Sequence, residues 1–396
     1  MNYEHITDQE ALRDFCSTIA TAPCIVYDTE FISEDRYRPE LCLVQVAAGD
    51  ELAIIDPLAL DSLDEFWQLL ASGDHITVVH AGREEYLFCY AAIGRGPANW
   101  FDTQIAAGLV STEYPASYAN LVYRWLKRSL RKGETRTNWR HRPLNERQLE
   151  YALQDVMYLE PLYRKIQQRL DELGRTDWLA TELKAWRQQL EREQATKRWR
   201  RVSGQSGMTR RQLAILRELW KWRDAESRRR NIPSRRLLRD DLMVELARRG
   251  SADPKQIRTI RGMDWRRLRT YIPEIADCIA FALALPEDQC PGRPRHYDRP
   301  AFNVLGQFLA TAVGSIARAA QVAPTMVGTV QDVRDLIAFH LGQQTDPPRL
   351  AQGWRHEVVG HVIDQLLDGR MSIRITDPHS EQPLSFELKD GHEPAS

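Results

Sequence analysis

Along the first hundred residues the apolar positions fall in short runs, not in helical stripes. "CIVYDTEF" (24–31) is one such run. "LCLVQVA" (41–47) and "LAIIDPL" (52–58) flank a Gly49-Asp50 turn, which predicts a hairpin. Leu63, Phe66, Trp67 and Leu70 then recur at helical spacing, and "ITVVH" (76–80) predicts another buried strand. Strands mixed with helices predict a layered α/β or α+β domain, and the early meander predicts a mixed sheet. Residues 145–173 carry a long helical pattern, opened by Asn145 and Gln148 at capping-box spacing and interrupted by Pro161, which predicts a kink or a new helix. "KRWRRVSGQSGMT" (197–209) reads as a basic linker. The pattern is helical from Thr209, breaks at 286–300, where four prolines and one glycine predict a second linker, and is helical again over 301–368. "MSIRITDPHSEQPLSFEL" (371–388) predicts a small hairpin, with disorder expected at the last residues.

Composition narrows the class. A chain of 396 residues, 43% hydrophobic and 28% charged, fits a soluble protein of two or three domains. No apolar run approaches the roughly 18 residues of a membrane span. Glu4, Asp8, Glu10 and Asp14 argue against a signal peptide. The six cysteines form no C-x-x-C pair, so they read as reduced thiols of a cytoplasmic protein, expected to be monomeric. The net charge of -1 hides an asymmetry: residues 1–101 hold 18 Asp/Glu against 5 Lys/Arg, and residues 184–239 hold 18 Lys/Arg against 5 Asp/Glu. That points to a polyanionic partner, a metal-binding region, or both; a solvated basic helix surface is the plainer reading.

The acidic end of the first run carries the chemistry. Asp28 and Glu30 stand two apart on a strand, so they point to one face, where like charges repel and desolvation worsens the repulsion. A shared proton, an arginine or a metal ion would each neutralise them. "YALQD" adds Tyr151 and Asp155 on one helix face, and Glu84 and Glu85 follow "ITVVH" just after Gly82. Acids drawn from separate elements into an all-oxygen set suit Mg²⁺ or Mn²⁺. Two such ions about 3.5–4 Å apart clamp phosphoryl transfer. Singly, a D-x-E reads as a solvated turn and a Y-x-x-x-D as a surface pair.

In order, "YDTEF", "RPELCLVQVA", "IIDPL", "HAGREEY", "FDTQIAA", "TRTNWRHRPL" and "ERQLEYALQDVMYL" resemble the ribonuclease D family of 3′–5′ exonucleases over roughly 20–170. Residues 209–285 resemble the helicase-and-ribonuclease-D C-terminal (HRDC) domain, and 297–368 read as a second, divergent copy. The resemblance implies an α/β, ribonuclease-H-like exonuclease domain with a mixed sheet over 1–180 and a basic linker over 181–208. Two small all-α modules over 209–285 and 297–368 and a C-terminal tail over 369–396 would follow. It also implies two divalent cations, Mg²⁺ or Mn²⁺, held by Asp28, Glu30, Glu85 and Asp155. Asp28 would bridge both ions, Glu30 and Asp155 would hold the one that activates water, and Tyr151 would orient that water. A phenol with a pKa near 10 is a poor base at neutral pH, so the base is assigned to hydroxide on the metal.

Two positions depart from the family pattern. Glu85 stands five residues after His80, where the family has Asp, and its extra methylene adds about 1.5 Å of reach. Metal sites tolerate small errors only, so activity or metal preference could change. Glu84 competes as a ligand, but one helical position turns it about 100° away. Asn138 replaces an Asp in a loop expected to position substrate.

The implied activity is a 3′–5′ exoribonuclease that trims 3′ ends of structured RNA, such as tRNA precursors, to 5′-mononucleotides. A nucleic-acid-binding protein with a site degraded at Glu85, or a 3′–5′ DNA exonuclease of the same fold, are the alternatives. Arg136, Trp139, Arg140 and Arg142, and Lys197 to Arg201 around Trp199, are candidates for phosphate contact and base stacking. The competing reading has Trp139 and Trp199 anchoring loops to the core. Arg228, Arg229, Arg230, Arg235 and Arg236 form the expected backbone-binding patch. "HEVVGH" sets His356 and His361 five apart, not the four of a metalloprotease helix, so no zinc site is expected.

Overall fold

The computed structural model describes residues 2–130, 137–195, 198–292 and 300–389. Six strands, β1 (Glu4–Ile6), β2 (Cys24–Ile32), β3 (Glu40–Ala48), β4 (Glu51–Ile55), β5 (Ile76–Val79) and β6 (Asn99–Asp102), form one sheet in the order β1-β4-β3-β2-β5-β6. The β2–β3 and β3–β4 pairs are antiparallel and the rest parallel, so the sheet is mixed, as the meander predicts. Gly49 makes the β3–β4 turn at φ +62°, where a side chain would be strained.

Helices cover both faces. On one, Tyr27 meets Phe66 and Trp67 of α2 (Asp64–Ser72), with α1 (Gln9–Ile19) and α3 (Arg83–Ile93) alongside. On the other, Leu43 and Ile54 pack against Ala152 and Leu153 of α6 (Glu146–Met157). Between these layers in sequence lie α4 (Thr103–Gly108) and the short α5 (Tyr118–Leu121). The Asn145–Gln148 capping box forms, and the chain restarts as α7 (Leu159–Glu172), with Pro161 in its first turn.

Beyond the sheet the expected boundaries move. Helix α8 (Thr176–Ala195) runs straight through the position 180/181 where a linker was expected to begin. It serves as a docking post for the C-terminal helices. Trp178 stacks on Trp354 at 5.1 Å, and Glu182 pairs with Arg355 at 2.5 Å and accepts from the Trp354 indole at 2.9 Å. Arg175 donates to the carbonyls of Leu109 and Ala320 at 2.7 and 2.6 Å. The helices after residue 300 therefore share one apolar core with the sheet domain. The first helical module, opened by α9 (Arg210–Arg230) with a Thr209–Gln212 capping box, has a core of its own. The predicted hairpin at the end is present, Met371–Ile375 against Leu384–Leu388. Residues 293–299 of the expected second linker, and 390–396 of the tail, lie outside the described residues. All six cysteines are free, and among the described residues no helix is long and apolar enough to cross a membrane.

Candidate active site

The five residues expected to carry the chemistry converge at one end of β2. Asp28 and Glu30 lie on the face that α6 covers, since their partners in register, Gln45 and Leu43, share a row with Ile54 beneath that helix. Tyr151 and Asp155 descend from α6, the phenol bonded to the Asp155 carboxylate. Glu85 enters from the first turn of α3 and is buried, accepting from Thr29 Oγ1 at 2.6 Å and sharing a hydrogen bond with Asp28.

Electrostatics ties the group together. Burial, then the charge of Asp155, pushes Asp28 up to about 8, against which the Thr29 amide and Glu85 hydrogen bonds pull it down. Burial and the neighbouring carboxylates, Asp28 foremost, push Glu30 up to about 9. Burial, then Asp28, raises Glu85 to about 8. Burial raises Asp155 to about 7, opposed by the Tyr151 hydrogen bond. Tyr151 itself is raised, by burial and then by Asp155 and Glu30. The repulsion foreseen for Asp28 and Glu30 is thus a property of the whole constellation. Among the described residues no three His, Cys, Asp or Glu side chains are closed into a ready-made metal cage. The donor chemistry nonetheless fits a hard divalent cation: four buried carboxylates, all raised and all offering oxygen.

A second set of residues holds the first in place. Buried Asp102 accepts from the amides of Ala81 and Gly82 at 3.1 and 2.9 Å, and from Gln104 at 2.8 Å, tying the β5–α3 turn that presents Glu85 to the start of α4. A Cβ on Gly82 would lie 2.3 Å from Val79 Cγ2, so only glycine lets the turn pass so close. The Tyr118 hydroxyl donates to the Gln154 carbonyl at 3.3 Å and accepts from the Tyr158 amide at 3.2 Å, bracing the end of α6 beside Asp155. Gln45, directly opposite Asp28 and fully buried, has no partner for either amide atom among the described residues. Sequence reasoning missed Thr29, Gln45, Asp102 and Tyr118. The Gly49 turn sets Gln45 opposite Ile54, but the longer 33–39 loop leaves the β2–β3 register, and with it Gln45 against Asp28, without a local signal; "DTQ" before a helix would have marked Asp102 as a cap.

The fold is matched by known proteins. A family model described as "3'-5' exonuclease" covers residues 3–171, and an HRDC domain model covers 212–279. Ribonuclease D of Sphingobium indicum is 32% identical over 93% of this chain and 96% of its own length. Ribonuclease D of Zymomonas mobilis is 33% identical over 93% and 95%. The chain belongs to the ribonuclease D family. It is a nuclease with a 3′–5′ exonuclease domain. The crystal structure of Escherichia coli RNase D, described as an exoribonuclease involved in structured RNA processing, superposes with a TM-score of 0.80 at 28% identity, covering 93% of this chain and 99% of that one. A Bifidobacterium adolescentis protein of 26% identity superposes at 0.67, covering 92% and 97%.

Several expected binding residues have other duties. Trp139 is 2% exposed, packed on Tyr151 with ring centroids 6.1 Å apart, so it is core and not a stacking platform. Trp199 is likewise buried, in the core of the first helical module. Arg140 is paired with Asp35 at 2.7 Å and with Glu40. Arg142 clamps buried Asp56 at 2.7 Å and donates to the Trp139 and Cys42 carbonyls at 2.7 and 2.8 Å. Asn138 folds its own loop, its side chain accepting from the Arg140 amide at 3.1 Å. Arg229 and Arg230 are spent on Glu226, each at 2.6 Å, and Arg228 lies over Tyr37 of the β2–β3 loop. Arg235 pairs with Asp240 at 3.2 Å, whereas exposed Arg236 has no partner among the described residues. Glu84 is paired with Arg83. His356 Nε2 faces Asp364 at 3.7 Å, and His361 Nδ1 lies 3.0 Å from the His356 carbonyl. Arg136, Lys197 and the Arg198 side chain lie outside the described residues.

Proposed function

We propose that this protein is a two-metal 3′–5′ exoribonuclease that trims the 3′ ends of structured RNA, tRNA precursors among them, and releases 5′-mononucleotides. The observation that carries this is the convergence of Asp28, Glu30, Glu85 and Asp155, each raised by burial or by the others' charge. Two divalent cations, Mg²⁺ or Mn²⁺, would supply the charge that stabilises the attacking and leaving oxygens of the phosphodiester. In this reading the carboxylates of Asp28, Glu30, Glu85 and Asp155 would hold the ions. Thr29 orients Glu85 through its 2.6 Å bond. Tyr151, raised above its ordinary pKa, keeps its proton at neutral pH and can orient an attacking water but not deprotonate it. The six free thiols fit a reducing compartment such as the cytoplasm. The helices after residue 300 are proposed to be a second, divergent HRDC-like unit annexed to the exonuclease core.

The test is digestion of a 3′-extended tRNA and of single-stranded DNA with Mg²⁺, Mn²⁺ or EDTA, by the parent and by Asp28→Asn. Hydrolysis of the RNA is expected with metal only, falling by more than about 100-fold in the variant while RNA binding persists. Near-parental hydrolysis by Asp28→Asn would sink the two-metal reading.

A further inference from the structure

The first helical module carries a basic cleft of about 650 Å³ lined by Arg235, Arg236, Arg239, Arg261, Trp265 and Arg267. Trp265 is 75% exposed. Leaving an indole in water forfeits the burial that normally draws tryptophan inside, and the module's other tryptophans behave differently. Trp199 is in the core, and Trp222 donates to Glu274 at 2.8 Å. The guanidiniums around Trp265 also stand out. Along α9 they are neutralised by Glu218, Asp224 and Glu226. In the cleft, Arg235 and Arg239 pair with Asp240 and Asp241 at 3.2 and 2.9 Å. Arg236, Arg261 and Arg267 are exposed and have no acidic partner among the described residues. Charge left unneutralised beside an exposed aromatic face is the combination that unpaired nucleic acid satisfies: phosphates for the cations, a base for the indole. A duplex would satisfy only the first, because its base faces are already stacked.

We propose that this cleft binds a single-stranded segment of the RNA substrate, with one base stacked on Trp265 and the flanking phosphates on Arg236, Arg261 and Arg267. The proposal rests on the exoribonuclease reading above and adds where the strand is gripped. The cleft is joined to the exonuclease domain by a short tether. Tyr37, in the loop that leaves the catalytic strand β2, donates from its amide to Asn231 Oδ1 at 3.2 Å and from its hydroxyl to Asp224 at 2.7 Å. Arg235 follows Asn231 by four residues, at most about 14 Å of chain.

The experiment uses the full chain with Asp28→Asn, so that RNA is not consumed. Its probes are a labelled single-stranded RNA, the same strand with abasic positions, and polyglutamate. Because Trp265 is exposed, replacing it removes little packing. Trp265→Ala is expected to weaken binding of the base-bearing strand about 5- to 150-fold and leave the abasic strand unchanged, with Trp265→Phe recovering most of the loss. Arg236→Gln, Arg261→Gln and Arg267→Gln together should flatten the salt slope by about 2. Equal affinity of Trp265→Ala and its parent for the base-bearing strand would overturn the proposal. So would an equal loss on both strands, or loss of polyglutamate binding with RNA binding kept. Hydrolysis of a short oligoribonucleotide by the chain with Asp28 intact is measured alongside. If it is hydrolysed while the cleft variants bind normally, the cleft alone is wrong; if it is not, the exoribonuclease reading falls and takes the cleft with it.

Discussion

Stripping divalent cations should make this protein less stable as pH rises, and Asp28→Asn should remove much of that dependence. An acid whose native pKa is raised holds its proton longer in the native chain than in the unfolded one. Stability is then fully present below the unfolded value near 4 and is lost as pH rises through the native values of about 7 for Asp155, about 8 for Asp28 and Glu85 and about 9 for Glu30. Asp155 alone moves from 3.8 to about 7, roughly 3 units, or about 4 kcal/mol at 1.36 kcal/mol per unit. The four groups titrate together, and protonating one relieves the rest, so the whole site costs of that order and not four times as much. Neutralising Asp28, which acts on both Glu30 and Glu85, should recover about 2 kcal/mol at pH 8 without metal. The assay is urea unfolding at pH 5, 6, 7 and 8, in EDTA and in Mg²⁺, reading parent minus variant. Carboxylates elsewhere cancel in that difference, including Glu226, which Arg229 holds down to about 2. In EDTA the difference should grow with pH against the parent, and Mg²⁺ should abolish or reverse it. A difference that stays flat from pH 5 to 8 would mean that the carboxylates do not repel as argued.

Glu85→Asp retracts the carboxylate by about 1.5 Å, beyond its 2.6 Å bond with Thr29. We expect a parent more active with Mn²⁺ than Mg²⁺ and a variant with a raised Mg²⁺-supported rate, at a stability cost of about 1 kcal/mol. The rate ratio in the two metals checks this, and a Glu85→Ala protein matching the parent in both would remove Glu85 from the ligand set. Gln45→Met deletes a buried amide beside Asp28 that has no partner among the described residues, so metal-free stability should hold or rise by about 1 kcal/mol while hydrolysis falls; an unchanged kcat would leave the amide without a catalytic role. Trp139→Ala should cost about 3–5 kcal/mol in unfolding experiments, as a core truncation does. Weaker RNA binding at undiminished stability would instead restore it as a stacking residue.

What the sequence determined by itself is local. The β3–β4 hairpin, the Asn145 and Thr209 caps and the break before Pro161 are decided by residues a few positions apart, and each is present in the fold. The same holds for Asp28 with Glu30 and for Tyr151 with Asp155, because strand and helix periods place each pair on one face. Joining these pairs to Glu85 drew on the resemblance to a known family, since nothing local links residues 28, 85 and 155. Tertiary structure decided the rest. Trp139 and Trp199 look alike in sequence to exposed Trp265, and only long-range packing separates core from surface. The arginines at 140 and 142 were legible as charge but not as bonds, because Asp35 and Asp56 lie about a hundred residues away in the chain. Nor could helical periodicity show that α8 carries the C-terminal helices into the exonuclease core. A helix's pattern tells that one face is buried, while the partner that buries it is set by where the whole chain brings another apolar face.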